Sequence, residues 1–201
     1  NFNKDNNKQI IYLHEENQGI PYARNKAVSY VANKYKYIAF TDDDDRVDKH
    51  WLKELLTCMH QYKAHAIQGA IVCDFEGPIP NWVDGETNPF VIYNRKRQQT
   101  GKNLSACSTG NVLVDTIIFK EYPKPFNISF AKTGGSDTHF FRKLNGKYKM
   151  IYCDEAIVYE KVPLSRQTYK WNFMRIFRNG NASALILKVN KENKKLKKDT
   201  L

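Results

Sequence analysis

The alternation of apolar and amphipathic segments in residues 8–75 places the strongest limit on how this chain can fold. Three short, β-rich apolar segments, at 8–14, 35–41 and 65–75, are separated by two segments in which apolar residues recur at helical spacing. This order is typical of an α/β sheet whose parallel strands are joined by helical crossovers. We therefore expect an α/β fold with a mostly parallel sheet flanked by helices.

The first crossover has a clear beginning and a clear inner face. Asn17-Gln18-Gly19 predicts a turn, and Pro21 suits the first turn of a helix. Small residues then recur at helical spacing and predict one face packed on the sheet, namely Ala23, Ala27, Val28, Val31 and Ala32.

The second half of the chain is less regular. Residues 76–90 are rich in Pro, Gly and Asn and predict a long loop, followed by a strand at 105–115 and a short helix after Gly134-Gly135. Residues 149–162 predict one or two strands, and a helix broken near Asn179-Gly180 follows. We expect one domain at 1–180 and a basic tail at 181–201, since nothing in a length of 201 residues demands a second core.

Four consecutive carboxylates, Asp42 to Asp45, directly follow the second apolar segment. A helix N-terminus can account for Asp48 and in part for Asp45, but not for the three acids that adjoin the strand. Open α/β sheets bind their ligands at the carboxyl ends of strands. Carboxylates that converge there suit a hard divalent cation, which commonly takes phosphate oxygens as its remaining ligands.

The stretch "NQGIPYARNKAVSYVANKYKYIAFTDDDDRVDKHWL" resembles the core signature of family 2 glycosyltransferases of GT-A fold. Similar stretches follow at "STGNVLVD", "GGSDTHFFRKL" and "AIVYEKVPLSRQTYKWNFMRIFRNG", so the resemblance covers most of residues 9–180. It implies a GT-A sheet that begins here at the equivalent of the third strand, about fifty residues into the usual fold. From this N-terminal truncation we expect an apolar sheet edge, low solubility or pairing with another chain, such as a homo-oligomer.

The resemblance also assigns the donor and metal residues. Asp42 and Asp44 match the ends of an Asp-x-Asp motif, in which the later carboxylate binds Mn²⁺ or Mg²⁺ and the earlier ones contact a nucleotide-sugar, so that Asp42 and Asp43 bind the donor and Asp42 also the metal. Arg24 lies near the donor in similar enzymes, although a packing or surface role fits equally well. The last metal ligand, often a histidine, falls on Glu160.

Asp137 falls where such enzymes keep the general base that deprotonates an acceptor hydroxyl. The local sequence reads Ser136-Asp137 rather than Glu-Asp, which removes an acid, and "GSDTHFF" is also a plausible helix start. For acceptor binding the resemblance points to Trp82, Asn111 and Arg142.

The function that this resemblance implies is inverting, metal-dependent transfer of a sugar from a nucleotide-diphospho-sugar to a hydroxyl of a saccharide or lipid-linked acceptor, as in bacterial polysaccharide biosynthesis. A non-catalytic GT-A-like binding or partner module is the alternative. The net charge of +11 would suit nucleic acid, but no recognition-helix or Lys/Arg-aromatic motif accompanies it, so we expect no nucleic-acid partner.

Composition and charge also bear on location. Four dispersed cysteines without metal-site spacing suit reduced thiols and a cytoplasmic protein. The lysine-rich C-terminal residues are either a solvated end or a peripheral contact with anionic lipid at the inner face of the cell membrane.

Overall fold

The computed structural model describes residues 10–81 and 97–199, with side chains as far as residue 191. Its helices are α1 (Ile20–Val31), α2 (Trp51–Tyr62), α3 (Ile117–Glu121), α4 (Ser136–Leu144) and α5 (Tyr169–Asp199). The strands are β1 (Tyr37–Thr41), β2 (Asp45–Val47), β3 (Ala66–Phe75), β4 (Asn111–Asp115) and β5 (Met150–Val162).

The strands form one sheet in the order β1-β4-β3-β5-β2. β4 is antiparallel to both β1 and β3, and β3 is parallel to β5, so β1, β3 and β5 run in one direction. β2 pairs antiparallel with β5 at the other edge. The α/β fold is confirmed, and its sheet is mixed, because β4 lies between β1 and β3, the two strands that the second crossover was expected to place side by side.

The first apolar segment does not form the predicted strand. Residues 10–16 have no regular structure, and Ile10 and Tyr12 are exposed. Within the described part of the chain β1 pairs only with β4, so this segment has no strand beside it that could satisfy its backbone groups. Apolar, β-rich composition was therefore insufficient to make a strand here.

Alternating side chains divide the core between the two faces of the sheet. On β4, Val112 and Val114 face a cluster formed with α1, α3 and α4, whereas Leu113 faces a second cluster formed with α2. Adjacent residues of β3 and β5 divide in the same way, as the period of two in a strand requires. Both faces of the sheet are thus packed against helices.

The last helix is continuous where a break was predicted. α5 runs through Gly180, beside which a Cβ would meet nothing within 4 Å, so the glycine is tolerated on an open helix face. The boundary expected at residue 180 falls inside this helix. Among the described residues, no helix has the length and apolar character needed to cross a membrane.

Candidate active site

The acidic run forms the turn between β1 and β2. The Asp45 amide donates to the Asp42 carbonyl at 3.3 Å, which closes a four-residue β-turn at the carboxyl end of β1. The side chains of Asp42 and Asp44 are 52% and 55% exposed, so both can receive a ligand from solvent. Asp48 has a separate role, because its carboxylate accepts the His50 amide at 2.9 Å just before α2.

Arg24 reaches this turn from the inner face of α1. Ala23 and Ala27, expected to pack on the sheet, are exposed, whereas Val28 is buried and Arg24 partly buried. The Arg24 guanidinium lies 3.6 Å from the Asp42 carboxylate and 5.8 Å from the centre of the Phe126 ring. Burial lowers the pKa of Arg24, and the negative charges of Asp137 and Asp42 oppose this. Arginine stays protonated under such a shift, so its positive charge attracts both acids.

Asn25 fixes the position of α1. Its amide oxygen accepts the Phe126 amide at 3.0 Å, and its amide nitrogen donates to the Phe126 carbonyl at 2.7 Å. A Cβ on Gly19, at the start of this helix, would come 2.8 Å from the Ala131 Cβ. These contacts set the helix so that Arg24 reaches Asp42.

Residues 108–110 and the first residue of β4, Asn111, lie next to both acids. Gln68 holds both ends of this segment, because its side chain accepts the Ser108 amide at 2.6 Å and donates to the Asn111 carbonyl at 2.7 Å. Gly110 lies against Asp42, since a Cβ there would be 3.5 Å from the Asp42 Oδ2. The absence of a side chain at Gly110 keeps the approach to Asp42 open.

The position of Asn111 conflicts with the predicted acceptor contact. Its side chain is fully buried, donates to the Ala70 and Ala156 carbonyls at 2.7 and 2.8 Å, and accepts the Trp51 indole N–H at 2.7 Å. Both N–H groups of the amide are therefore used inside the protein. Asn111 ties β3, β5 and α2 together.

Asp137 lies in the first turn of α4, which confirms the expected helix start. Gly134 and Gly135 precede it with φ of 77° and 89°, a left-handed pair that favours glycine. Its Oδ1 accepts the Thr138 amide at 2.8 Å, and its Oδ2 lies 3.4 and 3.5 Å from the amide and hydroxyl of the buried Thr109. Thr109 thus contacts Asp137, and the next residue, Gly110, lies against Asp42. The positive charge of Arg24 attracts both carboxylates.

The three predicted metal ligands are not gathered into one compact set. Asp44 lies 3.6 Å from the Arg166 guanidinium, and Glu160 pairs across the strands with Asp45. Among the described residues, one group of three His, Cys, Asp or Glu side chains has its ligand atoms within 4.8 Å of one another, namely Cys58, Cys153 and Glu155. This group lies on α2 and in the first half of β5 and includes none of the predicted ligands. Asp42 and Asp44 still fit a Mg²⁺ or Mn²⁺ ion, which needs only one or two carboxylates besides phosphate and water. The structure does not show Glu160 as a third ligand beside Asp42 and Asp44.

The other two predicted acceptor residues lie apart from this group. Trp82 falls outside the described residues. Arg142 is exposed in the last turn of α4, five residues after Asp137, which rotates it by about 140° around the helix axis. Asp43 is exposed at the tip of the acidic turn, without a described partner that fixes its role.

The structure brings Arg24, Asp42 and Asp137 to one end of the sheet and adds residues to which the motifs assigned no role. Thr109 and Gly110 contact the two acids, Gln68 and Asn25 hold the supporting segments, and Arg166 pairs with Asp44. Ser108-Thr109-Gly110-Asn111 was a recognisable sequence signal. Asn25 also lay within the quoted signature, but its contact with Phe126, 101 residues away, could not be predicted. Gln68 gave no signal, because its role depends on contacts about 40 residues away.

The fold and this edge of the sheet define a class of α/β proteins with an acidic turn after one strand and a carboxylate at the start of a later helix. The family model for Glycosyl transferase family 2 matches residues 1–123. The chain therefore belongs to Glycosyl transferase family 2, as the sequence motifs suggested.

Two relatives illustrate the match. The succinoglycan biosynthesis protein ExoM of Rhizobium meliloti (strain 1021) is 28% identical over 181 residues, which cover 89% of this chain and 56% of the relative. The crystal structure of S. aureus TarS 1-349 in complex with UDP-GlcNAc has a TM-score of 0.52 at 14% identity, covering 75% of this chain and 41% of TarS. The chain thus spans about half the length of these relatives, and the TarS likeness establishes the fold alone.

Proposed function

We propose that this chain carries the reaction centre of an inverting, metal-dependent glycosyltransferase. The observation that carries the proposal is that two adjacent residues, Thr109 and Gly110, contact Asp137 at the helix start and Asp42 at the strand end, respectively. Arg24 lies 3.6 Å from the Asp42 carboxylate. A donor-binding acid and a base must lie on the two sides of one reacting carbon in such a transfer, because the acceptor oxygen attacks opposite the leaving group. Membership of the family supports the same reaction class.

The donor is proposed to be a nucleotide-diphospho-sugar. TarS is a structural neighbour in complex with UDP-GlcNAc, and two half-exposed carboxylates at a strand end suit a cation-bound diphosphate. Asp42 and Asp44 would hold Mg²⁺ or Mn²⁺, which would offset the charge of the departing diphosphate. Arg24 would orient Asp42, and Arg166 would do the same for Asp44.

Asp137 is proposed to accept the proton from the acceptor hydroxyl. Its Oδ1 is held by the Thr138 amide, and the longer approaches from Thr109 leave Oδ2 weakly bonded and available to a substrate. The acceptor would be a saccharide or lipid-linked hydroxyl, in keeping with the role of ExoM in polysaccharide synthesis.

Metal-dependent nucleotide binding tests the donor assignment. We expect the full-length protein to bind UDP or GDP in calorimetry with Mn²⁺ and to lose this binding with a chelator. Asp44→Asn should abolish the Mn²⁺-dependent part and leave the melting temperature unchanged, because the side chain is exposed in a turn. Glu121→Gln is the matched control, since that acid pairs with Lys147 beyond the opposite end of β4.

Two outcomes would contradict the proposal. Unchanged Mn²⁺-dependent affinity in Asp44→Asn would remove Asp44 from the metal site. The absence of any metal-dependent binding of UDP or GDP, together with no transfer activity, would favour the alternative of a non-catalytic binding module.

A further inference from the structure

A groove of about 320 Å³ lies between the turn that precedes α4 and the first half of α5. Its charged lining residues are all basic, namely Lys132, Arg175 and Arg178, and its large apolar ones are Trp171, Met174 and Phe177. The mechanism proposed above uses none of these side chains.

The groove carries an uncompensated positive charge. No acidic residue lines it, and none of its three cations forms a salt bridge with another residue in the part of the chain that the structure describes. Residues 169–191 of α5 contain five basic residues and no acidic one. A concave surface lined by one sign of charge attracts a ligand of the opposite sign. The groove therefore suits an anion with several acceptor oxygens, such as a phosphate or diphosphate.

Apolar surface lies beside these cations. Met174 is 55% and Phe177 59% exposed, and the neighbouring Phe173 is 69% exposed. An inorganic anion or a free sugar would leave these side chains in water, whereas an alkyl or prenyl chain would cover them at a gain of about 25 cal/mol per Å² of apolar area. The combination of cations and exposed apolar side chains selects an amphiphile with an anionic end.

The groove adjoins the candidate base. Thr133 lines it and precedes Asp137 by four residues. α5 packs directly on the intervening turn, because a Cβ on Gly135 would lie 3.2 Å from the Ala182 Cβ. A ligand anchored in the groove would thus be held next to the start of α4, where a hydroxyl has to meet the Asp137 carboxylate.

We propose that this groove binds the phosphate or diphosphate of an acceptor that carries an apolar chain. Lys132, Arg175 and Arg178 contact the anionic group, and Met174 and Phe177 cover the first part of the chain. The assignment of the ligand as the acceptor rests on the proposed transferase function. The binding itself does not, so the two can fail separately.

Binding of a short amphiphile tests the groove without donor or turnover. The probe is decyl diphosphate below its micelle concentration, titrated calorimetrically into the full-length protein, with inorganic diphosphate and decanol as the two halves of the ligand. We expect decyl diphosphate to bind more tightly than either half. The double variant Arg175→Gln/Arg178→Gln should weaken its binding by at least about tenfold, because it removes charge-assisted hydrogen bonds.

A control variant separates the site from net charge. Lys53→Gln/Lys120→Gln removes two exposed positive charges on α2 and α3 and should leave the affinity unchanged. An equal loss in this control would reduce the effect to general electrostatics. Phe177→Ser should weaken binding of decyl diphosphate and leave that of inorganic diphosphate unaltered.

Each of four other results would overturn the proposal. Equal affinity for inorganic and decyl diphosphate would make the groove a plain anion site, and displacement of decyl diphosphate by UDP would assign it to the donor. Binding to anionic vesicles without binding to decyl diphosphate would make α5 a membrane-docking face. No binding at all, with α5 protected from hydrogen exchange in the full-length protein, would show that another segment covers the groove.

Discussion

Asp137 makes two kinds of contact that carry different functional weight. Its bond to the Thr138 amide stabilises the first turn of α4, whereas its charge interaction with Arg24 connects it to the acidic turn. A helix-start carboxylate needs only the first. The second is what a base facing a bound donor requires, and a substitution can separate the two.

Asp137→Asn should lower transfer by the full-length enzyme by at least about 10²-fold, because the amide cannot take the acceptor proton. Donor affinity, measured by calorimetry, should change little, since the proposed base contacts the acceptor. Asp115→Asn is the control, because that carboxylate accepts the Ile117 amide at 2.9 Å before α3, beside the amino end of β1. Wild-type turnover in Asp137→Asn would leave this residue with a helix-start role only.

His139, on the same helix, should make stability depend on pH. His139 is 1% exposed, and its ring centre lies 4.9 Å from that of Phe130 with the two rings tilted by 35°. Neither ring nitrogen has a hydrogen-bond partner among the described residues. Burial, with a smaller contribution from the charge of Lys143, lowers its pKa from 6.5 to about 4. Between these values the unfolded chain binds the extra proton, so the free energy of unfolding falls as the pH falls through this window.

We expect His139 to contribute a loss of about 2 kcal/mol in the free energy of unfolding between pH 7 and pH 5. Urea unfolding at the two pH values measures it, and His139→Leu, which cannot be protonated, should lose about that much less over the same interval. An identical pH dependence in the variant and the wild type would contradict this expectation, because it would mean that His139 has the same pKa in the folded and the unfolded chain.

The sequence predicted the residues that carry charge better than those that hold them in place. Asp42, Arg24 and Asp137 were predicted as site residues because carboxylates after a strand, and the motifs around them, are local patterns. Gln68 and Asn25 act through contacts with residues distant in the chain. The burial of Asn111, which was predicted to bind the acceptor, is a property of the fold that the sequence did not show. Local patterns identify candidate chemistry, and only the packed structure decides which polar side chains remain available for it.

Secondary-structure elements show the same limit. The crossover helices α1 and α2 were expected from helical spacing, but the inner face of α1 was misjudged, because hydrophobicity alone assigned the exposed Ala23 and Ala27 to it. The three-residue strand β2 was missed, since its paired groups lie in β5. α5 continues through Asn179-Gly180, where an isolated glycine lowers helix stability by only about 1 kcal/mol relative to alanine.

The mixed sheet explains why the site lies where it does. β1 ends at the acidic turn, and β4, which runs the other way, begins beside it. The Thr41–Asn111 pairing therefore brings residues 108–110, which precede β4, next to Asp42, which follows β1. An antiparallel neighbour thus supplies its entering segment to the edge at which the parallel strands end.

The charge of the whole chain leads to a separate expectation about membranes. Residues 188–201 contain six lysines and two acids. Residues 188–199 belong to α5, whose first half carries the basic groove. Each basic residue near an anionic surface adds roughly 1 kcal/mol of attraction, which salt screens over a Debye length of ~10 Å at 0.1 M.

We expect the full-length protein to co-sediment with anionic liposomes at low salt and to be released at high salt. Replacing Lys194, Lys195, Lys197 and Lys198 by Gln should weaken that association without changing Mn²⁺-dependent nucleotide binding, because these lysines take no part in the proposed donor site. Equal sedimentation with neutral and anionic vesicles, or none with either, would show that the lysines are solvated and that the membrane plays no part in presenting the acceptor.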